Sequence, residues 1–354
     1  MKTTVGGLFT GVAAAALALL TSVLLIPAPV AAASTVECRA YPSIPVALEA
    51  GAPKSFQVWG ELCARAADLV DGQTVQLLLH GAYYSHSYWN PDYDNGSYSY
   101  ARSMAAKGIP TFAIDRIGQG QSSRPPSVDL SVQDDALVVH QIVRALKSGS
   151  IGETAFGPVI GVGHSVGSIV AWQEAVTYRD LAGVIITGML HVVPLHTGVL
   201  TAGTNFRPAF LDPQFRDANL DAGYLTTAGG SRAQLFYNPG DAGSGIVAWD
   251  EAHKDATPMA EFAGAFTYAT TDLTRAIEVP VLIIQGQNDF LLCGTGAADC
   301  SSAAAVHALE AAYYSPQAGL QAVVVPGSGH NVALSENRGM AEEASASWSR
   351  ASVR

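Results

Sequence analysis

The sequence predicts an α/β protein: a mainly parallel, doubly wound sheet with helices on both faces and a mostly helical insertion over one end. Three observations carry that expectation. Seven short, apolar, β-branched runs recur along the chain; helical patterns lie between most of them; and one long interval, about 188–260, lacks a convincing central strand while being crowded with aromatics.

The elements follow in order. MKTT, an apolar stretch VGGLFTGVAAAALALLTSVLLI and then PAPVAAAS have the layout of a secretory signal over residues 1–33, with cleavage expected near Ala33. An uncleaved membrane anchor is the rival reading of that apolar run. Residues 34–354 then form the folded part. SFQVWGEL, TVQLLLHG, IPTFAID, PVIGVG, LAGVIITG, VPVLIIQG and LQAVVVPG read as strands buried on both faces. Between the third and fourth, residues 130–149 carry Val132, Ala136, Val139, Val143 and Leu146 at helical spacing and stop at a glycine. The insertion holds Phe206, Phe210, Phe215, Tyr224, Phe236, Tyr237 and Trp249, and a further helix leads back into the sheet.

Composition narrows the partners. Of 354 residues, 49% are hydrophobic and 14% charged, a globular balance, and the formal net charge is -11. Phosphate binding needs clustered Lys and Arg, and none is evident, so a nucleic-acid ligand is excluded. Once the signal is cleaved, no stable membrane insertion is expected. Nothing in the sequence sets the oligomeric state.

All four cysteines, Cys38, Cys63, Cys293 and Cys300, follow the signal. An even count in an exported chain points to disulfides, and proximity favours Cys38 with Cys63 and Cys293 with Cys300 among three formal pairings. Neither pair has the C-x-x-C spacing of a zinc site, and no metal is expected.

The stretch GVGHSVGS, residues 161–168, joins a buried strand to a helix within about four residues. A serine on so sharp a turn is lifted clear of the sheet, and its crowded backbone tolerates only small neighbours, here Gly163 and Gly167. The turn sets Ser165 at a helix N-terminus, where the N–H of Val166 faces a developing negative charge. Such a nucleophile needs a base and an acid to orient it. His330, in VVVPGSGHN after the last strand, is the candidate base, and Asp289, in VLIIQGQND after the preceding strand, the candidate acid.

With these residues the chain resembles the α/β-hydrolase superfamily from about residue 54 to its C-terminal end. Ser165, Asp289 and His330 stand in the order in which that fold presents its triad. Some members carry the acid one strand earlier, but no Asp or Glu occurs between Asp180 and Asp212. The resemblance implies that Ala82, after the His80-Gly81 pair, donates the second oxyanion N–H beside Val166. It also implies that Asp115 and Arg116, in AIDRIGQGQSS, hold a loop, and that His80 supports the oxyanion loop. The second and third glycines of the HGGG-type esterases are absent. A Cys293–Cys300 bond would brace the loop of Asp289.

The run AYYSHSYWNPDYDNGSYSY follows the oxyanion position; its Tyr83, Tyr84, Tyr88 and Trp89 either line an aromatic substrate pocket or pack a loop. DYDNG lacks the spacing and the distal Glu of a calcium loop. Asn95-Gly96-Ser97 is a glycosylation sequon. His164 reads as a packed neighbour of the nucleophile, and His86, His191, His196 and His253 as residues near the pocket mouth. The expectation is a secreted serine hydrolase of carboxylic esters or lactones, with an apolar or aromatic small-molecule substrate and no cofactor. The dehalogenases and epoxide hydrolases of this fold use an aspartate nucleophile, which Ser165 argues against. Lipase, amidase, C–C bond hydrolase or a non-catalytic ligand-binding protein of the same fold stay open as alternatives.

Overall fold

In the computed structural model, a sheet of eight strands runs through the middle of the chain, in the order Val36–Val46, Phe56–Arg65, Thr111–Ile114, Val75–Leu79, Val159–His164, Gly183–Thr187, Val281–Gly286 and Gln321–Val325. The structure describes residues 6–7, 35–192, 194 and 205–353; Ser34–Arg354 forms one compact unit. The signal expected over residues 1–33 lies outside the described residues except for Gly6 and Gly7, as does His196.

The seven apolar runs become β2 (Phe56–Arg65), β3 (Val75–Leu79), β4 (Thr111–Ile114), β5 (Val159–His164), β6 (Gly183–Thr187), β10 (Val281–Gly286) and β11 (Gln321–Val325). Five of them, β3 to β6 and β10, are buried at every position, which is why they read as continuous apolar stretches rather than alternating ones. From β4 to β11 all neighbours pair in parallel, whereas β2 runs antiparallel to β4. The edge strand β1 (Val36–Val46), which pairs antiparallel with β2, was not foreseen. It carries Pro42 and Pro45, and its register shifts between Tyr41 and Ile44, so the sequence shows no clean strand signature there.

Helices α1 (Tyr100–Ala106), α2 (Val132–Lys147), α3 (Val166–Thr177), α7 (Ala303–Glu310) and α8 (Arg338–Ser352) accompany the sheet. Helix α2 starts on a capping box: the Ser131 hydroxyl accepts from the Asp134 N–H, and the Asp134 carboxylate accepts from the Ser131 N–H at 2.9 Å. Its buried face, from Val132 through Leu146, is the one its spacing predicts.

The insertion is more mixed than its aromatics suggest. Alongside α4 (Arg232–Phe236), α5 (Ser244–Ala252) and α6 (Met259–Tyr268) it forms a small antiparallel sheet of β7 (Phe206–Pro208), β8 (Tyr224–Thr227) and β9 (Thr257–Pro258). These strands are too short to leave a period-2 pattern. Among the described residues, no helix is long and apolar enough to cross a membrane. Disulfides join Cys38 to Cys63, directly opposite one another across β1 and β2, and Cys293 to Cys300.

Candidate active site

The winding of the sheet changes direction between β3 and β5, which lie side by side with Leu79 opposite Gly163. The crevice beyond the carboxyl ends of strands at such a switch point is where open α/β sheets place their ligands. The chain puts GAYY after β3 and Ser165 after β5 at that point.

Ser165 has φ 53 and ψ -121, a backbone conformation that L-residues rarely adopt. Its flanking glycines are sterically required. A Cβ at Gly163 would lie 2.4 Å from Ser168 Cα, and one at Gly167 would lie 2.3 Å from the Leu79 carbonyl oxygen. The turn is braced from β6: the Ser165 N–H donates to the Thr187 carbonyl at 2.9 Å, and the Ser168 hydroxyl donates to the same carbonyl at 3.1 Å. Val166 opens α3, so its N–H has no partner within the helix. The loop after β3 comes close alongside, since a Cβ at Gly81 would stand 3.1 Å from Ser165 Cβ.

His330 and Asp289 meet at the ends of β11 and β10. The His330 Nδ1 lies 2.8 Å from Asp289 Oδ2, and both residues are buried. The second acceptor sites of the carboxylate are also used: Gln285 Nε2 donates to Oδ2 at 2.8 Å and the Leu291 N–H to Oδ1 at 2.9 Å. The contact with Asp289 orients the imidazole through Nδ1 and leaves Nε2 as the ring nitrogen turned away from the carboxylate. The Asn288 N–H donates to the Ser328 carbonyl at 2.8 Å, tying the loop of Asp289 to the loop of His330. The His330 ring is 4.8 Å, centroid to centroid, from that of His164, the residue before Ser165.

The histidines next to these residues are held neutral. Burial, and then the His330 charge, pushes His164 well below the ordinary imidazole range; its ring stacks on Tyr88 at 4.2 Å. Burial, and then the Arg116 charge, lowers His80 from 6.5 to about 3. The Arg116 N–H donates to His80 Nε2 at 3.0 Å, so the Nδ1–H must be the donor to the Gly81 carbonyl at 2.9 Å. His80 thus fixes the peptide that precedes Ala82.

Asp115 and Arg116 likewise hold loops. Asp115 accepts from the His86 N–H at 2.7 Å, from the His86 ring at 2.8 Å and from the Gln121 N–H at 2.7 Å. Burial alone would raise its carboxyl; the His86 hydrogen bond and charge, with the other partners, outweigh that and lower it. Arg116 sits fully buried between Asp135 of α2 and Glu261 of α6.

The tyrosine-rich run turns inward. Tyr88 and Trp89 are buried in the core, with Trp89 packed between Tyr88 and Tyr100 at 4.8 and 5.0 Å. Tyr83 stacks on Phe206 of the insertion at 4.9 Å, and the Tyr84 hydroxyl accepts from Asn331 Nδ2 at 2.6 Å. His191 is likewise interior, paired with Glu310 at 2.7 Å. His253 stacks on Trp249 in the insertion.

The largest feature that sequence reasoning missed is a buried polar clamp from the insertion. Arg232 forms a two-pronged pair with Asp250, at 2.7 and 3.1 Å, and its third nitrogen donates to the Tyr83 carbonyl at 3.2 Å. Its guanidinium lies 4.2 Å over the Tyr84 ring. Asp250 also accepts from the Tyr237 hydroxyl at 2.8 Å, and Asn331, next to His330, reaches the same network through Tyr84. From β9, the Thr257 hydroxyl accepts the Tyr83 N–H at 2.6 Å. The insertion therefore grips both the loop carrying Ala82 and the loop carrying His330.

The sequence model described as the Alpha/beta hydrolase family matches residues 76–343. No curated protein matches the chain by sequence. Solved structures share its fold at low identity. An esterase from Thermogutta terrifontis, solved with malate bound, is 18% identical over 90% of this chain and 100% of its own, with a TM-score of 0.55. A thermostable carboxyl esterase from Bacillus coagulans, in complex with glycerol, is 13% identical over 90% and 99%, with a TM-score of 0.58. The epoxide hydrolase CorEH is 15% identical over 89% and 99%, with a TM-score of 0.51.

Proposed function

The chain belongs to the alpha/beta hydrolase family, and on that premise we propose that it is an exported serine hydrolase that cleaves carboxylic esters or lactones through an acyl-enzyme. The observation that carries the reading is Ser165 itself, held at φ 53 between glycines that leave no room for a Cβ. Such strain persists where surrounding structure over-determines it, characteristically at reacting residues.

In the proposed reaction His330 Nε2 takes the Ser165 hydroxyl proton as the oxygen attacks the substrate carbonyl. Asp289 orients the imidazole and stabilises its cation. The N–H groups of Ala82 and Val166 hold the oxyanion, each donor of this kind contributing about 2.7 to 4 kcal/mol to transition-state stabilisation. The imidazolium then protonates the departing alkoxide, leaving an acyl-serine and an alcohol. A water, deprotonated by His330, attacks the acyl-serine and releases the acid and the free serine. No cofactor enters. Serine chemistry separates this reading from the aspartate-nucleophile branch of the fold.

Export is supported by the two disulfides, which persist in oxidising compartments, together with the signal-like layout of residues 1–33. The aromatics of the insertion that reach the loop after Gly81, with Phe206 against Tyr83 and Phe236 5.7 Å from His330, favour apolar or aromatic acyl groups. The test is turnover of a graded series of p-nitrophenyl esters by the purified protein. Hydrolysis that improves from acetyl to bulkier hydrophobic esters is expected. Equal or better turnover of acetyl would overturn the apolar preference, and no ester turnover at all would overturn the hydrolase reading.

A further inference from the structure

Helix α3 carries Ser165 at its N-terminus and, roughly 13 Å further along its axis, Glu174. There Glu174 meets His140 of α2 and Asp180 of the loop leading into β6, with one donor atom from each lying within 4.8 Å of the others. Glu174 is fully buried, yet both of its carboxylate oxygens lack a hydrogen-bond partner among the described residues. Asp180 Oδ1 is also buried without a hydrogen-bond partner, and the buried His140 Nδ1 lies 2.8 Å from Asp180 Oδ2, an ion-pair contact that lacks hydrogen-bond geometry. The Lys147 ammonium donates to the Asp180 main-chain carbonyl.

An unsatisfied buried carboxylate is strongly unfavourable unless something pairs with it. A proton is one solution. Burial, and then the Asp180 carboxylate facing it, pushes the Glu174 carboxyl up to about 10, and a protonated Glu174 would donate to Asp180. That leaves the second Glu174 oxygen unused and His140 Nδ1 held to Asp180 only by the ion-pair contact. A metal ion satisfies all three residues at once.

We propose that His140, Glu174 and Asp180 form a binding site for a divalent transition-metal ion, with zinc the best fit, that ties α2 to α3 and its following loop. One imidazole nitrogen with two carboxylates is a ligand set that zinc accepts at about 2.0 to 2.2 Å, with water in the fourth position. Tetrahedral ligands at that radius stand about 3.3 Å apart, a spacing that donors within 4.8 Å reach by side-chain rotation. Calcium and magnesium prefer all-oxygen shells, which the imidazole spoils. The His140 ring is held in place by stacking on Tyr178 at 4.3 Å. His140 and Tyr178 also line an open cleft with Leu137 and Gln141, which gives an ion a way in from solvent.

The experiment uses the full folded chain, stripped with a chelator and titrated calorimetrically with zinc at neutral pH, with calcium and magnesium as controls. Expected are one zinc per chain at micromolar affinity or tighter, proton release seen as a buffer-dependent binding enthalpy, and a higher Tm with zinc. Glu174→Gln and His140→Ala should each weaken zinc binding by about tenfold or more, while the hydrolysis rate of the metal-free protein is unchanged. Glu174→Gln preserves shape, and the Tm of each metal-free variant reports whether it folds. Absence of stoichiometric zinc binding, equal affinity for calcium, or folded variants that bind zinc like the wild type would overturn the proposal.

Discussion

Replacing Arg232 with Met removes the cation that joins the insertion to the candidate active site while keeping an apolar stem over the Tyr84 ring. Asp250 is then left 2% exposed with no counter-charge. Breaking one partner out of a buried ion pair costs about 3 to 5 kcal/mol. Asp250 would keep its Tyr237 and Tyr84 hydroxyl donors, at 2.8 and 3.3 Å, so the lower end applies. For a chain of this length, about 3 kcal/mol corresponds to a fall in Tm of roughly 4 to 5 °C. The Tyr83 carbonyl loses its Arg232 donor and keeps only the Asp255 N–H at 2.9 Å. The loop bearing Ala82 loosens, and kcat for a p-nitrophenyl ester should fall about tenfold or more with a smaller change in KM. Calorimetry and steady-state kinetics read the two effects. Adding Asp250→Asn, which removes the stranded charge, should recover half or more of the lost stability. An Arg232→Met protein with unchanged Tm and kcat, or a double variant whose loss equals the sum of the single losses, would refute the clamp.

Two further predictions concern pH and redox. The folded His80 takes a proton only near pH 3, whereas unfolded it does so near 6.5. Between those values the unfolded chain binds the extra proton, so stability falls as pH falls through that window, by up to about 1.4 kcal/mol per unit from this group, and is insensitive to it above. Denaturant titrations across that range should show a flatter acid slope in His80→Gln; an unaltered slope would remove His80 from the account. The Cys293–Cys300 disulfide brackets the loop in which the Cys293 N–H donates to the Asp289 carbonyl at 2.9 Å. Paired Cys293→Ser and Cys300→Ser substitutions should lower kcat at temperatures where the protein remains folded, because they free the loop of Asp289. Its closure entropy is worth only roughly 2 to 2.5 kcal/mol on the chain model. Full turnover with the bond removed would contradict this.

The candidate site was legible where local sterics or chemistry leave few options. Gly163 and Gly167 flank a serine because no side chain fits there, and an apolar strand before it with a helix after it leaves only one kind of turn. Seven of the eight strands of the main sheet were readable because burial on both faces demands unbroken apolar runs. The eighth, β1, is an edge strand with two prolines and a register shift, and its sequence resembles a loop. The insertion was legible as an interruption but not as a structure. Its strands are two to four residues long, and Arg232 and Asp250 sit on short helices where charges ordinarily face solvent. Their burial is a tertiary fact: each is tolerated inside only because the other, and Tyr84, come from elsewhere in the chain. For the same reason Glu174 and His140 gave no metal-like spacing, since their ligand atoms converge from different helices.

The most direct test of the central claim is fluorophosphonate labelling of the purified protein, read by peptide mass spectrometry beside a Ser165→Ala control and an ester turnover assay. The account predicts one adduct per chain, on Ser165, with both labelling and turnover abolished in the control. An adduct on another residue, or full turnover in Ser165→Ala, would contradict it.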